Sequence, residues 1–373
     1  TNQRGSDEFH GADGPLYVSD PVNNYTLNTS FIQAGQEAGL PLSTDFNNTN
    51  TFEGVGFFQF TIKDGERCGV SRAYLKPVKH RENLTIHCDS QIKRIIFKDK
   101  RAVAVEYEQN SIVHTIHANK EILLSSGAFG SPQILMLSGV GDQTELAEHG
   151  IELIHHLPGV GKNLQEHADA CVLQANKKTD GFTFSALGLL KLVPDTFKYL
   201  HNKTGKHANS ITHAGGFIKS SAEHTVPNLQ IHFVPLLFDD CGRDLKLMSK
   251  HGYSCHVCLL RPESRGTVSL RSSNHYDPLD IDYNFLATAA DRKQLVDGIR
   301  QVRNILAQPG FDSHRGEELY PGEDAQSDDE ILQKCKDRLG LVFHPIGTCK
   351  MGDDSEAVVD DQLKVHGLTG IRV

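Results

Sequence analysis

Apolar residues along the chain recur with two different periods, and the change of period marks the elements. Between Ile92 and His117 they follow a strand pattern, Ile92 to Phe97, Ala102 to Tyr107 and Ile112 to His117, separated by polar turns such as Lys98-Asp99-Lys100. Leu84-Thr-Ile86 before them and Glu121 to Ser125 after them read as further short strands, and Gly54 to Ile62 as an earlier one. Later, Leu229 to Val234 alternates apolar and polar residues as a half-buried strand does, with Tyr253 to Leu260 and Thr267 to Leu270 following. Helical spacing governs Phe31 to Leu40, the run Asp291 to Ala307 with Leu295, Ile299, Val302 and Leu306 on one stripe, and Glu330 to Leu339. Phe184 to Leu200 reads as a helix interrupted at Pro194. Short strands are expected at Val358-Val359, Leu363 to Val365 and Ile371 to Val373.

Two stretches carry more than a period. In the first, strand Ile122 to Leu124 runs into Ser125-Ser126-Gly127-Ala128, and Ser131 with Pro132 predicts an N-cap and first turn for a helix to Leu137. A strand, a glycine turn and a helix N-terminus in succession offer unpaired backbone N–H groups and let another group come close at Gly127. Asp142 with Glu145 predicts a capping box for the next helix. In the second stretch, Val342 to Gly352, an imidazole stands between an apolar lead and a Pro/Gly/Thr turn. A partly buried His344 there suits proton abstraction from an alcohol, because imidazole exchanges a proton near neutral pH.

The 373 residues are 38% hydrophobic and 23% charged with a net charge of -9, which allows a large core and two domains and leaves no basic stripe for nucleic acid. No apolar run is long enough for a membrane span. The start at Thr1, without Met, signal peptide or transit peptide, reads as a chain cut from a longer one. Eight cysteines form no dense disulfide framework. Sequons beginning at Asn24, Asn28, Asn47, Asn83 and Asn202 tilt the expected location towards secretion. Cys255 and Cys258 are read as core cysteines, because i and i+3 point to opposite faces of a strand, and no metal site is expected. Gly159-Val-Gly161 begins like a dinucleotide fingerprint, but Leu164 takes the third glycine's place; no G-x-G-x-x-G occurs.

The stretch Gly127 to Gly141 resembles the second signature of the glucose-methanol-choline (GMC) oxidoreductases, and Phe343-His344-Pro345 to Gly352 resembles their catalytic-histidine segment. Phe9 to Leu16, Arg81 to Thr85, Leu157 to Leu164, Arg261 to Gly266 and Val359 to Arg372 are similar to the family as well, in wording nearest its animal branch of insect glucose dehydrogenase and choline dehydrogenase. The resemblance implies a mixed α/β to α+β fold: an incomplete FAD-binding domain interleaved with a substrate domain built on an antiparallel sheet with covering helices. The expected spans are a polar lead-in opening the substrate domain over 1–66, FAD-binding segment 67–165, substrate-binding segment 166–352 with His344, and a return to the FAD domain over 353–373.

FAD is the implied cofactor, with Ile92, Ser126, Gly127 and Ala128 against it. His344 is the implied base for oxidation of an alcohol, sugar or polyol CH–OH group by hydride transfer to flavin N5. The expected partners are that small-molecule substrate and an electron acceptor, oxygen or quinone, left open. Dehydrogenase is preferred to oxidase, and the alternatives are a non-catalytic binding or structural member and a lyase on the same scaffold. The family's N-terminal βαβ fingerprint, its first signature and its C-terminal helix with the second active-site residue are not among these residues. A fragment inactive by itself is therefore expected.

Overall fold

The computed structural model describes residues 1–22, 25–48, 52–239 and 242–373. Asn24 and Cys241 lie outside the described residues. In chain order the main elements are α1 (Thr26–Glu37), β1 (Gly54–Phe57), β2 (Gln91–Lys98), β3 (Arg101–Gln109), β4 (Ile112–His117), β5 (Ile122–Leu123), α2 (Gly127–Leu137) and β6 (Ala168–Asn176). Then come α3 (Ala186–Asn202), β7 (Ala214–Ile218), β8 (Leu229–Val234), β9 (Gly252–Leu259), α4 (Ala289–Leu306), β10 (Arg315–Tyr320), α5 (Asp328–Asp337), β11 (Gly340–Leu341) and β12 (Ile371–Arg372). They fall into two compact units.

The first unit comprises Thr1–Leu84, Ala168–Arg261 and Ala290–Val342. Its centre is an antiparallel sheet in the order β1-β7-β8-β9-β6-β10, with β11 also paired to β6. Every residue of β9 is buried, Ser254 and His256 included, as befits the strand between β8 and β6. Phe31 of α1 stacks on Phe233 of β8 at 4.9 Å, and Tyr253 of β9 stacks on Phe311 at 5.0 Å. Helix α4 turns Leu295, Ile299, Val302 and Leu306 inward, and a Cβ at Gly298 would lie 2.9 Å from Val257, so the close helix–sheet approach requires glycine. Ser327 and Glu330 form a reciprocal capping box that starts α5.

The second unit comprises Thr85–His167, Pro262–Ala289 and Phe343–Val373. The ladder β2-β3-β4 is antiparallel and joined by two-residue turns, Asp99-Lys100 and Asn110-Ser111, all four residues at positive φ. That is the turn geometry whose twist matches paired strands. Strand β5 pairs in parallel with β12. Ile95, Leu135, Met136, Val140, Val160, Val358 and Ile371 share one core.

Several expectations change. The unit boundaries fall at 84/85 and 167/168, where the sequence expectation placed them at 66/67 and 165/166, and residues 262–289 and His344 belong to the second unit. The reason for 262–289 is hydrogen bonding over long sequence separation: Val268 N–H donates to Gly161 O, and Leu164 pairs with Gly266. Leu84 to Ile86 forms no strand, β1 stops at Phe57, and the last strand is only Ile371–Arg372. Pro194 does not break α3, which runs through it to Asn202. Glu145 does not complete a capping box: its carboxylate accepts from Leu270 N–H, while Asp142 alone caps the helix. Asn28 is fully buried in α1, which bars a glycan there, whereas Asn47, Asn83 and Asn202 are exposed. Cys255 and Cys258 are both buried.

One charged pair sits inside the first sheet. His256 Nδ1 lies 2.7 Å from Asp169 Oδ2, and its Nε2 lies 3.1 Å from the Phe238 carbonyl. Both partners accept, so the ring satisfies both only as an imidazolium. Burial pushes its pKa down, but the charge and hydrogen bond of Asp169 and the carbonyl of Phe238 outweigh that, and the net shift is upward. A raised His pKa gives stability that is complete below the unfolded value, about 6.5, and is lost as pH rises through the folded one. His256→Ala should therefore cost about 3–5 kcal/mol at pH 6 by leaving Asp169 buried and unpaired. Thermal melts from pH 5 to pH 9 should show wild type losing stability with rising pH relative to the variant; parallel profiles would reject the imidazolium.

Candidate functional site

The site is assembled in the second unit from three stretches: the start of α2, residues 161–167, and residues 344–348. Helix α2 begins at Gly127, four residues before the predicted N-cap, and contains Pro132. Ser131 is inside the helix, and its hydroxyl accepts from Ser126 N–H at 3.1 Å. Proline has no N–H, so the Ala128 carbonyl four residues back loses its helical donor. Thr348, buried in the His344 run, supplies the replacement: its hydroxyl donates to Ala128 O at 2.5 Å. The Thr348 carbonyl in turn accepts from Gly161 N–H at 2.9 Å. Gly161 has φ +78, and a Cβ there would meet Val268 O at 2.2 Å, so the would-be fingerprint glycine serves a close backbone approach.

Residues 161–167 lie antiparallel to 344–348. Gln165 and Ile346 exchange backbone hydrogen bonds of 2.9 Å, and Asn163 Nδ2 donates to Gly347 O at 3.1 Å. A side chain at Gly347 would strike Asn163 O at 2.3 Å. Glu166, buried, closes the pair: one carboxylate oxygen accepts from its neighbour His167 N–H at 2.8 Å and the other from His344 N–H at 2.6 Å. Hydrogen bonds to an ionised acceptor are stronger than neutral ones. The two imidazoles meet edge to face, with centroids 5.7 Å apart and planes at 88°.

His344 itself is exposed, not partly buried as the sequence implied. The strand lead ends at Leu341, and Phe343 takes φ +64, an uncommon backbone for a bulky residue. The His344 backbone is held by Glu166, while its ring nitrogens make no hydrogen bond among the described residues. Such a ring is positioned by the chain and open to a ligand. Cys349 is a poor nucleophile, since burial pushes its thiol up to about 12. Tyr283 lies near the clasp, its hydroxyl pKa raised by burial and then by the charge of Glu166.

The start of α2 is open. Ser125, Ser126 and Gly127 are exposed, Ser126 makes no side-chain cap, and a Cβ on Gly127, at φ +75, would meet nothing within 4 Å. Free first-turn N–H groups beside open space suit an anionic or dinucleotide ligand lying against the chain. Ile92 is half-buried at the start of β2, and Ser138 ties that strand to α2, accepting from Ile95 N–H at 2.8 Å and donating to Ile134 O at 2.5 Å. Ile92, Ser126, Gly127 and Ala128 thus share one body with His344.

The GMC oxidoreductase family models match residues 3–169 and 262–373. The chain belongs to the GMC oxidoreductase family. It is 42% identical over its whole length to the "Alcohol dehydrogenase [acceptor]" of Pseudomonas putida, covering 67% of that protein. It is 39% identical to the "Oxygen-dependent choline dehydrogenase" of Chromohalobacter salexigens, covering all of this chain and 66% of that one. The chain thus spans about two thirds of the length of these relatives. Among solved structures, pyridoxine 4-oxidase from "Mesorbium loti" superposes with a TM-score of 0.86 at 26% identity, covering 100% of this chain and 69% of that one. Formate oxidase of Aspergillus oryzae RIB40 gives 0.86 at 26%, covering 97% and 68%. These matches establish the GMC fold, mixed α/β with an antiparallel sheet and covering helices, and FAD as the family's cofactor. They are bacterial and fungal in part and do not single out an animal branch.

Sequence reasoning missed Glu166, His167 and Thr348. Glu166 and His167 lie just beyond the family-like stretch ending at Leu164, and only the paired backbones reveal their use. Thr348 carried no legible signal either, because Ser131-Pro132 reads as a helix start, where proline deprives no carbonyl of its donor; only a helix that begins at Gly127 makes Pro132 interior. Thr348→Val, nearly isosteric, should destabilise the protein by about 1–2 kcal/mol, with Thr348→Ser recovering most of it. Chemical denaturation of the three proteins measures this, and an unchanged midpoint for Thr348→Val would show that the hydroxyl is dispensable.

Proposed function

We propose that the full-length protein to which this chain contributes is an FAD-dependent enzyme oxidising the CH–OH group of an alcohol, sugar or polyol, with His344 as the proton acceptor. The observation that carries this reading is the exposed imidazole whose backbone is clasped by Glu166 and whose ring is left free. Ser126, Gly127 and Ala128 at the open start of α2, with Ile92 on the neighbouring strand, are assigned to the cofactor. FAD, when bound, supplies the acceptor for the substrate's hydride. The first unit, with its large antiparallel sheet, is assigned to the substrate and the second to the cofactor.

In this reading His344 accepts a hydrogen bond from the substrate hydroxyl and takes its proton as the carbon is oxidised. Fixing the backbone at Glu166 sets where the ring stands, which matters because a misplacement of about 1 Å can cost 10²-fold in rate. The names of the relatives favour a dehydrogenase working on a small alcohol, and they leave the acceptor as oxygen or another oxidant.

Anaerobic stopped-flow of the full-length protein with a panel of polyols, sterols and choline tests the proposal. His344→Ala should slow flavin reduction by ~10²–10⁴-fold with FAD still bound, and an unchanged rate would reject the assigned role. Bound flavin that no substrate bleaches would favour a binding protein, and cyanide release without reduction a lyase.

Glu166→Gln replaces one acceptor with an N–H that faces a backbone N–H. It should slow reduction by about 10–10²-fold while the oxidised flavin spectrum and its cofactor content stay as in wild type. Loss of FAD in this variant would instead make Glu166 a residue of cofactor retention.

A further inference from the structure

Helix α3 is amphipathic in the reverse sense to α4. Of its residues Gly188 alone is buried, whereas α4 buries Leu295, Val296, Ile299, Val302, Ile305 and Leu306. Leu187, Leu190, Val193, Phe197 and Leu200 recur at helical spacing and are 44–68% exposed. Phe184, immediately before the helix, is exposed as well. The short helix Leu245–Met248 adjoins this end, because Phe184 N–H donates to Met248 O at 2.9 Å, and it adds exposed Leu245 and Lys246. A contiguous apolar face of this kind marks an interaction surface.

The charges around it identify what it meets. Residues 184–206 hold Lys191, Lys198, Lys203 and Lys206 against Asp195, a net of 4 − 1 = +3 within a chain of net charge -9. Lys203 pairs with Glu66 at 3.2 Å and Lys198 lies 3.8 Å from Asp195. Among the described residues Lys191 reaches the Thr179 oxygens, and Lys206 lies over the rings of Tyr25 and Phe182. The helix has 17 residues with Lys191, Asp195 and Lys198 in it, and no helix among the described residues is long and apolar enough to cross a membrane. An apolar stripe bordered by lysines suits a helix lying in the plane of a membrane interface, its apolar side chains at the acyl boundary and its ammonium groups at lipid phosphates. A second copy on the same face would set one lysine border against another.

We infer that the α3 face docks the protein on an anionic phospholipid bilayer. The inference is independent of the proposed oxidation chemistry. Vesicle flotation of the full-length holoprotein tests it, with phosphatidylcholine alone and with about one third phosphatidylserine. Wild type should float with the anionic vesicles at least about tenfold more than with the zwitterionic ones, and raised salt should weaken the binding. Leu190→Glu/Phe197→Glu should abolish flotation while leaving the melting temperature and the oxidised flavin spectrum unchanged.

Absence of flotation with either vesicle, or equal flotation of the double variant, overturns the proposal. So does a lowered melting temperature in the double variant, which would mean that another segment of the protein covers the face. A wild-type dimer that the substitutions dissociate in sedimentation would assign the face to a second copy and overturn it too.

Discussion

The site depends on a hydrogen bond that a helix cannot make for itself. Pro132 removes the donor that would satisfy the Ala128 carbonyl, and the Thr348 hydroxyl, 220 residues later in the chain, takes its place. An interior proline costs a helix about 3 kcal/mol or more when nothing compensates. Here the loss is converted into a tether: the carbonyl beside the open helix start can be satisfied only if the His344 run is in register beside it. Because the Thr348 carbonyl also accepts from Gly161 N–H, one residue fixes the helix, the glycine turn and the histidine run together.

Once that register is set, the remaining contacts follow from backbone proximity. Gly161 and Gly347 each occupy positions where a Cβ would lie within 2.3 Å of a carbonyl oxygen, so the two segments approach more closely than side chains permit. The closeness lets Glu166 reach the His344 amide as well as that of its neighbour, His167. A buried carboxylate with two N–H donors is well solvated by the protein and has no need of a cation. The result is a tethered backbone carrying an exposed ring: the Glu166 carboxylate holds the His344 main chain and leaves its side chain facing solvent.

Legibility in the sequence tracked the range of the interaction. The hairpins β2-β3-β4 were readable because alternation and two-residue polar turns are local, and α4 because its stripe of four residues, Leu295 to Leu306, spans about three turns. Leu84 to Ile86 looked like a strand and is not, since short apolar runs carry no information about whether a partner strand exists. The start of α2 was misplaced because Ser131-Pro132 is a strong local start signal; a distant threonine overrides it by rescuing the carbonyl that proline abandons. Residues 262–289 joined the second unit through bonds to residues 161 and 164, which no periodicity encodes. His344 and Gly127 were legible as special residues, but Glu166, which positions the histidine, looked like any acidic residue before a strand.

The same contrast separates the two places where apolar side chains meet the solvent. Phe343 and Ile346 are exposed beside His344, in a loop whose backbone is tied to residues 163–166 at His344, Ile346 and Gly347, so their exposure follows from a register imposed elsewhere. The α3 side chains have no such excuse, because a helix satisfies its own backbone and is free to rotate a stripe inward during folding. Pro194 does not prevent that, since α3 continues through it. An outward stripe on a self-sufficient helix, with cations along its border, is therefore a property of the surface in its own right, independent of the register that sets the His344 run.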